Sequence, residues 1–486
     1  MYDKNIPNKP VAPTSADDAR WNHTALRRRL IQGTWEEDLE DELFRHLPAD
    51  RREAWGVADM SSNALEQVTR QLAMLYHENP TVTHSEDIND LVGREGYVTK
   101  SGFFQLMQRV QQYTIAMREC CIRIDVVPHV KGATSRQPGI LYRVVTPDYV
   151  YAEASPDAPD QMLYYREYRL RYSEKGKCYR WVADVIDIRD ENEPIFGMYL
   201  IETDGTLGHD VSEEYMGHPT HRGADFPYRT KEGVPFIPVQ LYHAEKTGQL
   251  WNSYDGSQLT FGTLTSAVLF SFYLHLVRDA CWSQKYVAGL QLAGQTAIDQ
   301  DLPARRASIT TDPSSILVFT SDPDINTQPL IGTFEPSADP QNLLESIAKY
   351  EYRVATSAGI SSEVLRQSGD PRSGYALSIS RDGQREAQKR YAPIFRLCDE
   401  QLLAKTACLA NRFLGTNLPE DGYRVQYSQL NLSPAEMKAQ REDVIQKLSA
   451  GLISPVDAIM TLNPDLDEQE AKVELNRIRK ERAEYM

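Results

Sequence analysis

The residues best suited to metal chemistry lie in one short acidic segment. Five candidates fall within 12 positions of the sequence: Asp210, Glu213, Glu214, His218 and His221. Carboxylates and imidazoles are adequate ligands for a divalent ion. Their spacing matches no established metal motif, and glycine and proline surround them. We therefore expect a polar surface loop and predict no metal or other cofactor. A metal-dependent hydrolase that uses Asp210, His218 and His221 is the minor alternative.

Motifs for nucleotide hydrolysis and nucleophilic catalysis are absent from the sequence. The chain has no G-x-x-x-x-G-K-[ST] phosphate loop, no G-x-G-x-x-G turn, no H-E-x-x-H and no G-x-S-x-G. Its six cysteines form no C-x-x-C pair, which disfavours a zinc ribbon or a redox motif. The absence of the phosphate loop argues against an ATP-driven motor, although other nucleotide-binding folds exist.

A second group of residues could contact phosphate. Residues 374–415 carry seven basic and four acidic side chains in a chain of net charge −16. Three of the basic residues are spaced four apart and would share one helix face: Arg381, Arg385 and Lys389. Such a stripe, with Arg372 before it, can contact a nucleic acid backbone without reading bases. The alternatives are a solvated face paired with Asp382 and Glu386, or a seam of ion pairs between subunits.

Length and composition bound the elements that position these residues. A chain of 486 residues predicts about three domains. Its acidic excess argues against a general affinity of the surface for nucleic acid. Residues 1–20 hold three prolines and few apolar side chains, which predicts a disordered tail. No apolar run reaches the roughly 20 residues of a membrane span, so we expect no membrane partner.

The first half of the chain changes from helical to β-type patterning. Helical periodicity runs from residue 21 to about 118, as in 63–76 and 101–117. Five β-strands are predicted after it: 122–127, 141–145, 178–188, 197–202 and 235–243. Alternation at Tyr168, Leu170 and Tyr172 predicts a further strand, with a basic outer face at Arg169 and Arg171.

Two features of this β-type region allow finer predictions. Pro235 and Pro238 place the last predicted strand at a sheet edge. Residues 182–227 carry 11 acidic side chains and two arginines. We expect that acidic segment to be a set of solvated loops.

The second half returns to long helices. An apolar helix is predicted from residue 256, followed by short mixed pieces and by a helix near 339–358 with Pro340 at its first position. After a loop, a helix of around 40 residues should run to about Leu414 with a kink at Pro393. A strand at 423–430 follows. The last predicted region, 434–486, is helical with breaks at Gly451 and Pro464, and Ser433 opens it in a capping box.

This order of elements resembles the portal proteins of tailed bacteriophages. The segment VATSAGISSEVLRQSGDPRSGYALSISRDGQREAQKRYAPIF is similar to their stem helix, tunnel loop and tunnel helix. The segment LSAGLISPVDAIMTLNPDLDEQEAKVELNRIRKE is similar to their C-terminal region, and EGVPFIPVQLYH to the strand that closes their wing. The resemblance implies an α+β portal fold that assembles as a ring oligomer.

The resemblance also implies a division of the chain. Its parts would be a disordered tail at 1–20, a wing at 21–255, a first stem helix at 256–286, a clip at 287–336, a second stem helix at 337–360, a tunnel loop and kinked tunnel helix at 361–415, a returning wing strand at 416–432 and a crown at 433–486. The acidic segment matches no part of the family.

The implied function is structural, and the resemblance implies no catalytic residue, so we predict that the protein is not an enzyme. Twelve copies would form a ring at one capsid vertex, the channel for packaging and ejecting double-stranded DNA without sequence preference. The implied partners are the terminase large subunit, the head-tail adaptor, and the major capsid and scaffolding proteins. The protein would belong to the virion, after assembly in the host cytoplasm. Another phage structural protein, such as an adaptor or a capsid component, is the nearer alternative.

Two sets of site residues follow from the resemblance. Residues expected to approach or shape the DNA channel are Ser368, Asp370, Arg372, Ser373, Arg381 and Arg385. Residues expected to form clip strands shared between subunits are Ser314, Ile316, Leu317, Val318 and Phe319. An acidic wall with a few basic contacts would let a duplex slide.

Overall fold

The computed structural model has an α+β fold. It describes residues 9–46, 59–127, 139–173, 176–215, 225–251, 258–281, 284–288, 290–292, 319–321, 330–334, 340–357, 374–428, 434–462 and 468–485. Within these residues the helices are α1 (Ser15–Gln32), α2 (Glu36–His46), α3 (Ala64–Leu72), α4 (Asn89–Val92), α5 (Tyr97–Lys100), α6 (Phe103–Met117), α7 (Ser212–Tyr215), α8 (Gln258–Cys281), α9 (Pro340–Ser357), α10 (Gly374–Leu414), α11 (Pro434–Ser449), α12 (Pro455–Leu462) and α13 (Glu468–Tyr485).

The strands form antiparallel sheets. They are β1 (Thr81–Thr83), β2 (Glu119–Val127), β3 (Gly139–Val145), β4 (Val150–Ala154), β5 (Met162–Ser173), β6 (Cys178–Asp187), β7 (Ile195–Ile201), β8 (Leu207–Asp210), β9 (Val239–His243), β10 (Gln284–Ala288), β11 (Leu290–Leu292), β12 (Phe319–Ser321), β13 (Leu330–Phe334) and β14 (Arg424–Gln426). One sheet has the order β3-β2-β9 and another β4-β5-β6-β7-β8. Three two-stranded pairs complete the described set: β1-β14, β10-β13 and β11-β12.

The chain divides into two compact units. The first comprises Met1–Gln32, Leu65–Ser257 and Ala355–Met486, and the second comprises Gly33–Ala64 and Gln258–Val354. Residues 33–64 fall inside the predicted wing of 21–255 and belong to the second unit, where α2 packs on α8. The apolar stripe of α2 needs a partner face, and α8 supplies it.

Regular structure begins closer to the N-terminus than predicted. The disordered tail expected at 1–20 is wrong for its last six residues, which lie in α1. The Thr14 hydroxyl accepts a hydrogen bond from the Asp17 N–H at 3.1 Å and donates to the Asp17 carboxylate at 2.6 Å, which caps the helix. The buried Arg20 guanidinium donates to backbone carbonyls in the turn at 147–150 at 2.7 and 2.8 Å. Capping and a buried arginine thus order a segment of low apolar content.

The five-stranded sheet is packed on both faces where β5 crosses it. On one face, the ring centroids of Trp21 and Tyr168 lie 5.1 Å apart, edge to face. On the other, Arg169 donates to Glu167 at 2.8 Å and lies 3.1 Å from Asp184. The predicted basic outer face of this strand is therefore wrong for Arg169, because carboxylates on β5 and β6 draw its guanidinium into the protein.

A network of six charged side chains joins β2 and β3 to β5 and β6. Its members are Arg123, Arg143, Arg169, Asp125, Glu167 and Asp184. Arg123 lies opposite Arg143 in the register and donates to Asp184 at 2.8 Å and to Glu167 at 3.1 Å. Burial alone would raise the pKa of Glu167, but the guanidinium groups around it hold that pKa well below its ordinary value. The three positive and three negative charges balance, so the cluster can be buried.

The acidic segment 182–227 contains sheet rather than only the solvated loops predicted. Its described part holds the end of β6 together with β7, β8 and α7. Val182 and Met198 are buried in one apolar cluster, and Asp184 belongs to the charged network. The strands predicted at 178–188 and 197–202 are confirmed as β6 and β7, whose apolar positions pack in the sheet while most of the described carboxylates of the segment stay at its surface.

The C-terminal region is helical, as predicted for 434–486, over α11, α12 and α13. Gly451 lies after α11 with a φ of +70°, a conformation that favours glycine. At the start of α12, the Ser454 hydroxyl accepts the Asp457 N–H and the Asp457 carboxylate accepts the Ser454 N–H, both at 3.1 Å. This is a reciprocal helix cap. The predicted cap at Ser433 and the break at Pro464 lie outside the described residues.

Candidate functional site

The helix α10 carries the residues predicted to contact DNA, and most of its length is packed. It runs for 41 residues and passes through Pro393. Buried side chains recur along it at helical spacing: Ala387, Tyr391, Phe395, Cys398, Leu402 and Leu409. β9 and β14 lie against the helix. This packing fixes the position of the helix and thereby the position from which its N-terminal part extends.

A buried carboxylate lies at the centre of the packed face. Asp399 is 1% exposed and accepts hydrogen bonds from three tyrosine hydroxyls. Tyr76 and Tyr427 donate to one carboxylate oxygen and Tyr242 to the other, each at 2.8 Å. Burial raises the pKa of Asp399 to about 6, although the three hydrogen bonds favour the charged form. Asp399 ties α10 to β9, to the segment after α3 and to the residue that follows β14.

A second polar contact joins α10 to β9. Lys405 Nζ donates to the Val239 carbonyl at 2.6 Å and to Gln240 Oε1 at 3.1 Å. The Cys398 thiol donates to the Leu241 carbonyl at 3.5 Å. Burial lowers the pKa of Lys405 to about 8 and raises the pKa of Cys398 to about 12. Lys405 is therefore committed to the backbone of β9 and cannot contact a phosphate.

The exposed basic stripe is partly neutralised within the chain. Lys389 Nζ lies 3.0 Å from a carboxylate oxygen of Glu386. For Lys389 the predicted alternative, a solvated face paired with Glu386, is confirmed. Arg385 is half-buried and has a contact of its own. A role of Arg385 at DNA stays a prediction.

Most of the other predicted site residues lie outside the described part of the chain. In the tunnel loop these are Ser368, Asp370, Arg372 and Ser373, and in the clip they are Ser314, Ile316, Leu317 and Val318. Arg381 lies in α10 and Phe319 lies in β12 opposite Leu292, but neither side chain is described. Their roles in DNA contact and in subunit contact stay predictions.

Two strand pairs lie between α8 and α9 in the sequence. β10 pairs with β13, from Gln284 opposite Phe334 to Ala288 opposite Leu330. Inside this pair in the sequence, β11 pairs with β12. The mixed pieces predicted at 287–336 therefore include an insertion of two nested antiparallel pairs. The first strand begins three residues before the predicted boundary.

The helices α8 and α9 approach closely at one glycine. A Cβ on Gly262 would lie 2.5 Å from a methyl group of Val354, so the contact depends on the missing side chain. The Glu351 carboxylate accepts hydrogen bonds from the hydroxyls of Ser62 and Ser266. Glu351 thus links α9 to α8 and to the segment before α3.

The helix α8 buries one face along most of its length and exposes two large apolar side chains. The buried positions recur every three or four residues: Thr260, Thr263, Leu264, Ala267, Val268 and Ser271. Phe261 lies beside this stripe and is 47% exposed, and Leu274, which continues the stripe three residues after Ser271, is 39% exposed. Exposed apolar side chains of this size are typical of a surface that another protein covers.

The candidate metal ligands make other contacts where they are described. Asp210 accepts the Ser212 N–H at 2.7 Å, and Glu214 accepts the Ser173 hydroxyl at 2.6 Å. Glu213 is exposed. Across the described ranges, no group of three His, Cys, Asp or Glu side chains could hold a metal ion. The two histidine candidates lie outside those ranges: His218 and His221.

Sequence analysis missed both buried polar clusters. The signal for the six-charge network was the opposite charges two positions apart in Arg123-Ile124-Asp125 and Glu167-Tyr168-Arg169. The signal for the Asp399 cluster was a carboxylate between apolar positions of a helix, in a chain with 26 tyrosines and 13 phenylalanines. Neither pattern identifies the distant partners: Asp184 lies 61 residues from Arg123, and Tyr427 lies 28 residues from Asp399.

Comparisons with known proteins find only distant structural likeness. No family model matches the chain, and no curated protein matches it. A chain in the neck of an empty gene transfer agent particle, computed with C6 symmetry, is 10% identical, with a TM-score of 0.40 over 94% of this chain and 95% of that one. A chain of the native gene transfer agent virion is 12% identical, with a TM-score of 0.35 over 82% of this chain and 88% of that one. At these TM-scores the function must be argued from the chain itself.

In the described part of the chain, no helix is both long enough and apolar enough to cross a membrane.

Proposed function

We propose that this chain is a portal protein, the subunit of a ring at one capsid vertex of a tailed-phage particle. The observation that carries the proposal is the order of elements in the second half. Two helices, α8 and α9, enclose a small β insertion of two nested strand pairs, and the 41-residue α10 is the next helix described. This order matches the stem, clip and tunnel parts that the resemblance implies.

Self-association is supported by exposed apolar side chains on α8. Phe261 and Leu274 are large, and they are 47% and 39% exposed in the described chain. A cyclic ring needs a heterologous interface, in which one face of a subunit meets a different face of the next. We take the surface around Phe261 as one side of that interface, and we take the number of subunits, twelve, from the resemblance.

The proposed role in DNA passage follows from charge. A net charge of −16 disfavours tight binding along a channel, so a duplex can slide past most of the surface. A few arginines would make brief backbone contacts. We assign these contacts to Arg372, Arg381 and Arg385, with Ser368, Asp370 and Ser373 shaping the loop. The β insertion between α8 and α9 would dock the terminase large subunit and later the head-tail adaptor, and the virion would hold the ring among its capsid proteins.

The first experiment is the native mass of the purified protein. A ring of twelve chains of 55.3 kDa would weigh about 660 kDa. We expect a closed ring near that mass, visible by electron microscopy as a particle with a central opening. A monomer or dimer at every concentration would contradict the proposal. Bound metal in the purified protein would instead favour the hydrolase alternative.

A second experiment tests the DNA contacts. Charge reversal at Arg372, Arg381 and Arg385 should reduce DNA packaging and retention while the ring still forms. A matched control reverses three exposed basic residues outside α10: Arg45, Arg70 and Lys100. Unchanged packaging and retention in the first triple variant would remove the contact assignment. An equal loss in both triple variants would show that the effect is one of total charge.

A further inference from the structure

Residues 9–14, here called the arm, are held on the first unit by a caged lysine. Lys9 Nζ lies 4.8 Å from the ring centroid of Trp21 and 4.7 Å from that of Tyr149. The Asp148 carboxylate lies 3.7 Å from the same nitrogen. Two aromatic faces and a carboxylate are the usual surroundings of a bound cation. The arm is therefore held in the manner of a ligand by Trp21 of the helix that follows it and by Asp148 and Tyr149, which are remote from it in sequence.

The rest of the arm follows the five-stranded sheet. A Cβ on Gly205 would lie 2.4 Å from the Val11 carbonyl oxygen, so the turn before β8 leaves room for the arm only because Gly205 has no side chain. Ala12 packs on the apolar cluster that contains Trp21 and Tyr164. Lys9, Val11 and Ala12 thus touch one surface, which we call the arm seat. It consists of the cage around Lys9, the turn at Gly205 and the apolar cluster that contains Tyr164.

An open groove continues from the arm seat along the sheet. It encloses about 440 Å³, and Pro13 forms part of its wall. Its other walls are rich in tyrosine and arginine: Tyr151, Tyr164, Tyr199, Arg166 and Arg189. Tyrosine and arginine are enriched at the sites that contribute most to protein binding. The groove therefore has the composition of a docking surface and lies directly beside an arm already bound.

The arm sequence suits binding in an extended form. Prolines recur every three residues at Pro7, Pro10 and Pro13 in the sequence. A period of three places them on one side of a polyproline helix, whose stiffness lowers the entropy lost on binding. Extended proline-bearing segments bind aromatic-lined grooves.

We propose that the arm seat and the groove bind the arm of a second copy of this chain, so that neighbouring subunits exchange arms. The proposal rests on the proposed function, because a ring holds a second copy next to each seat. Exchange costs little because the same contacts form again between chains. The arm joins α1 at Thr14, whose cap with Asp17 can persist whichever seat the arm occupies. The five residues 9–13 reach roughly 17 Å from that junction.

Charge and exposure favour an incoming arm. Lys9 contributes the positive charge, and Asp148 in the seat contributes the negative one. The groove gives an arriving chain a path along the sheet to the seat. Val11 is 58% exposed, so the bound arm is accessible from solvent. These features suit an arm that can leave one seat and enter another.

The test mixes two versions of the full chain in one assembly, each with one added cysteine. One version carries Val11→Cys, and the other carries Thr206→Cys beside Gly205. A short bifunctional maleimide can join these two positions only if the arm of one copy occupies the seat of another. We expect a covalent dimer of the two versions in the assembled protein. We also expect a loss of that dimer when a synthetic peptide of residues 4–14 is added in excess during assembly.

Two controls make each outcome decisive. A single chain that carries both Val11→Cys and Thr206→Cys reports the contact whether it lies within or between copies. A mixture of Val11→Cys with Tyr172→Cys, an exposed position outside the groove, reports random cross-linking and the background of the half-buried Cys178. Cross-linking in the double variant without a dimer in the mixture would overturn arm exchange. No cross-link in either would also overturn it, since the seat contact itself would be absent.

The native mass separates this inference from the proposed function. A ring near the expected mass without the mixed dimer would reject arm exchange and leave the portal proposal intact. A monomeric mass would reject the portal proposal itself.

Discussion

Replacing Asp399 with asparagine should change how stability depends on pH. Burial raises the pKa of Asp399 from an ordinary 3.8 to about 6 in the folded protein. The folded state therefore holds this proton more tightly than the unfolded chain does. The stabilisation from that proton is complete below about pH 4 and is lost as the pH rises through about 6. Two units of pKa correspond to about 3 kcal/mol in the free energy of unfolding.

The Asp399→Asn variant cannot titrate at this position, so its free energy of unfolding should not show the decrease that the native chain shows as the pH rises through about 6. Asparagine also has one fewer oxygen for the three tyrosine hydroxyls, which costs about 1–3 kcal/mol at every pH. The informative quantity is therefore the change with pH rather than the value at one pH. Between about pH 4 and about pH 7, the free energy of unfolding of Asp399→Asn relative to the native chain should rise by about 3 kcal/mol.

The assay is urea unfolding followed by tryptophan fluorescence at several pH values across this window. The matched control is Glu386→Gln, which alters an exposed carboxylate of the same helix, paired with Lys389 at 3.0 Å, and keeps Asp399. The control should show the same pH dependence as the native chain. Curves for Asp399→Asn and the native chain that stay parallel across the window would refute the reasoning, because Asp399 would then titrate alike in the folded and unfolded states.

Three further substitutions test the packing of the chain. Arg123→Ala should lower the free energy of unfolding by about 3–5 kcal/mol in urea, because buried carboxylates lose their partner; a loss under 1 kcal/mol would show that water replaces the arginine. Gly262→Ala should cost about 1–3 kcal/mol by the same measurement, and adding Val354→Ala should recover part of it if the two side chains collide. Gly205→Ala should displace the Val11 carbonyl and increase acylation of the arm lysine by an amine-reactive ester, measured by mass spectrometry; unchanged labelling would mean that the turn adapts.

Local periodicity was enough to predict the long elements. Residues 65, 68, 72 and 75 recur at helical spacing, and all four side chains are buried in or just after α3. The long helix was predicted at both ends, from Gly374 to Leu414. The prolines at 235 and 238 predicted an edge strand, and β9 lies at the edge of its sheet. Such patterns depend only on residues near each other in sequence, so they can be recognised in a single amino-acid sequence.

Contacts between distant residues could not be predicted in this way. Arg169 follows the alternation of an exposed face, yet it is drawn inward by Asp184 on the adjacent strand. Arg20 lies in a segment of low apolar content, yet it is buried by the turn at 147–150. The pairing of α2 with α8 is a further example. Several helices carry an apolar stripe, and the sequence does not indicate which two stripes pack together.

The candidate site was predicted in its elements rather than in its chemistry. The helix that carries Arg381 and Arg385 is present, but Lys389 is paired with Glu386 and Lys405 is buried against β9. Charge counted along a sequence does not distinguish a free cation from one that a neighbour has neutralised. The basic excess of this helix therefore overstates the charge available to a phosphate.

The contacts between α10 and β9 have a consequence for the self-association proposed above. β9 is an edge strand; the Pro238 carbonyl just before it faces β2, while the next carbonyl, of Val239, faces away from the sheet. Open strand edges recruit strands from other chains, and identical edges at high local concentration lead to uncontrolled sheet growth. Here Lys405 and Cys398 occupy two outward carbonyls of β9, those of Val239 and Leu241. The helix thus covers an edge at which sheet growth could begin, so that copies in the proposed ring would meet through their side-chain surfaces.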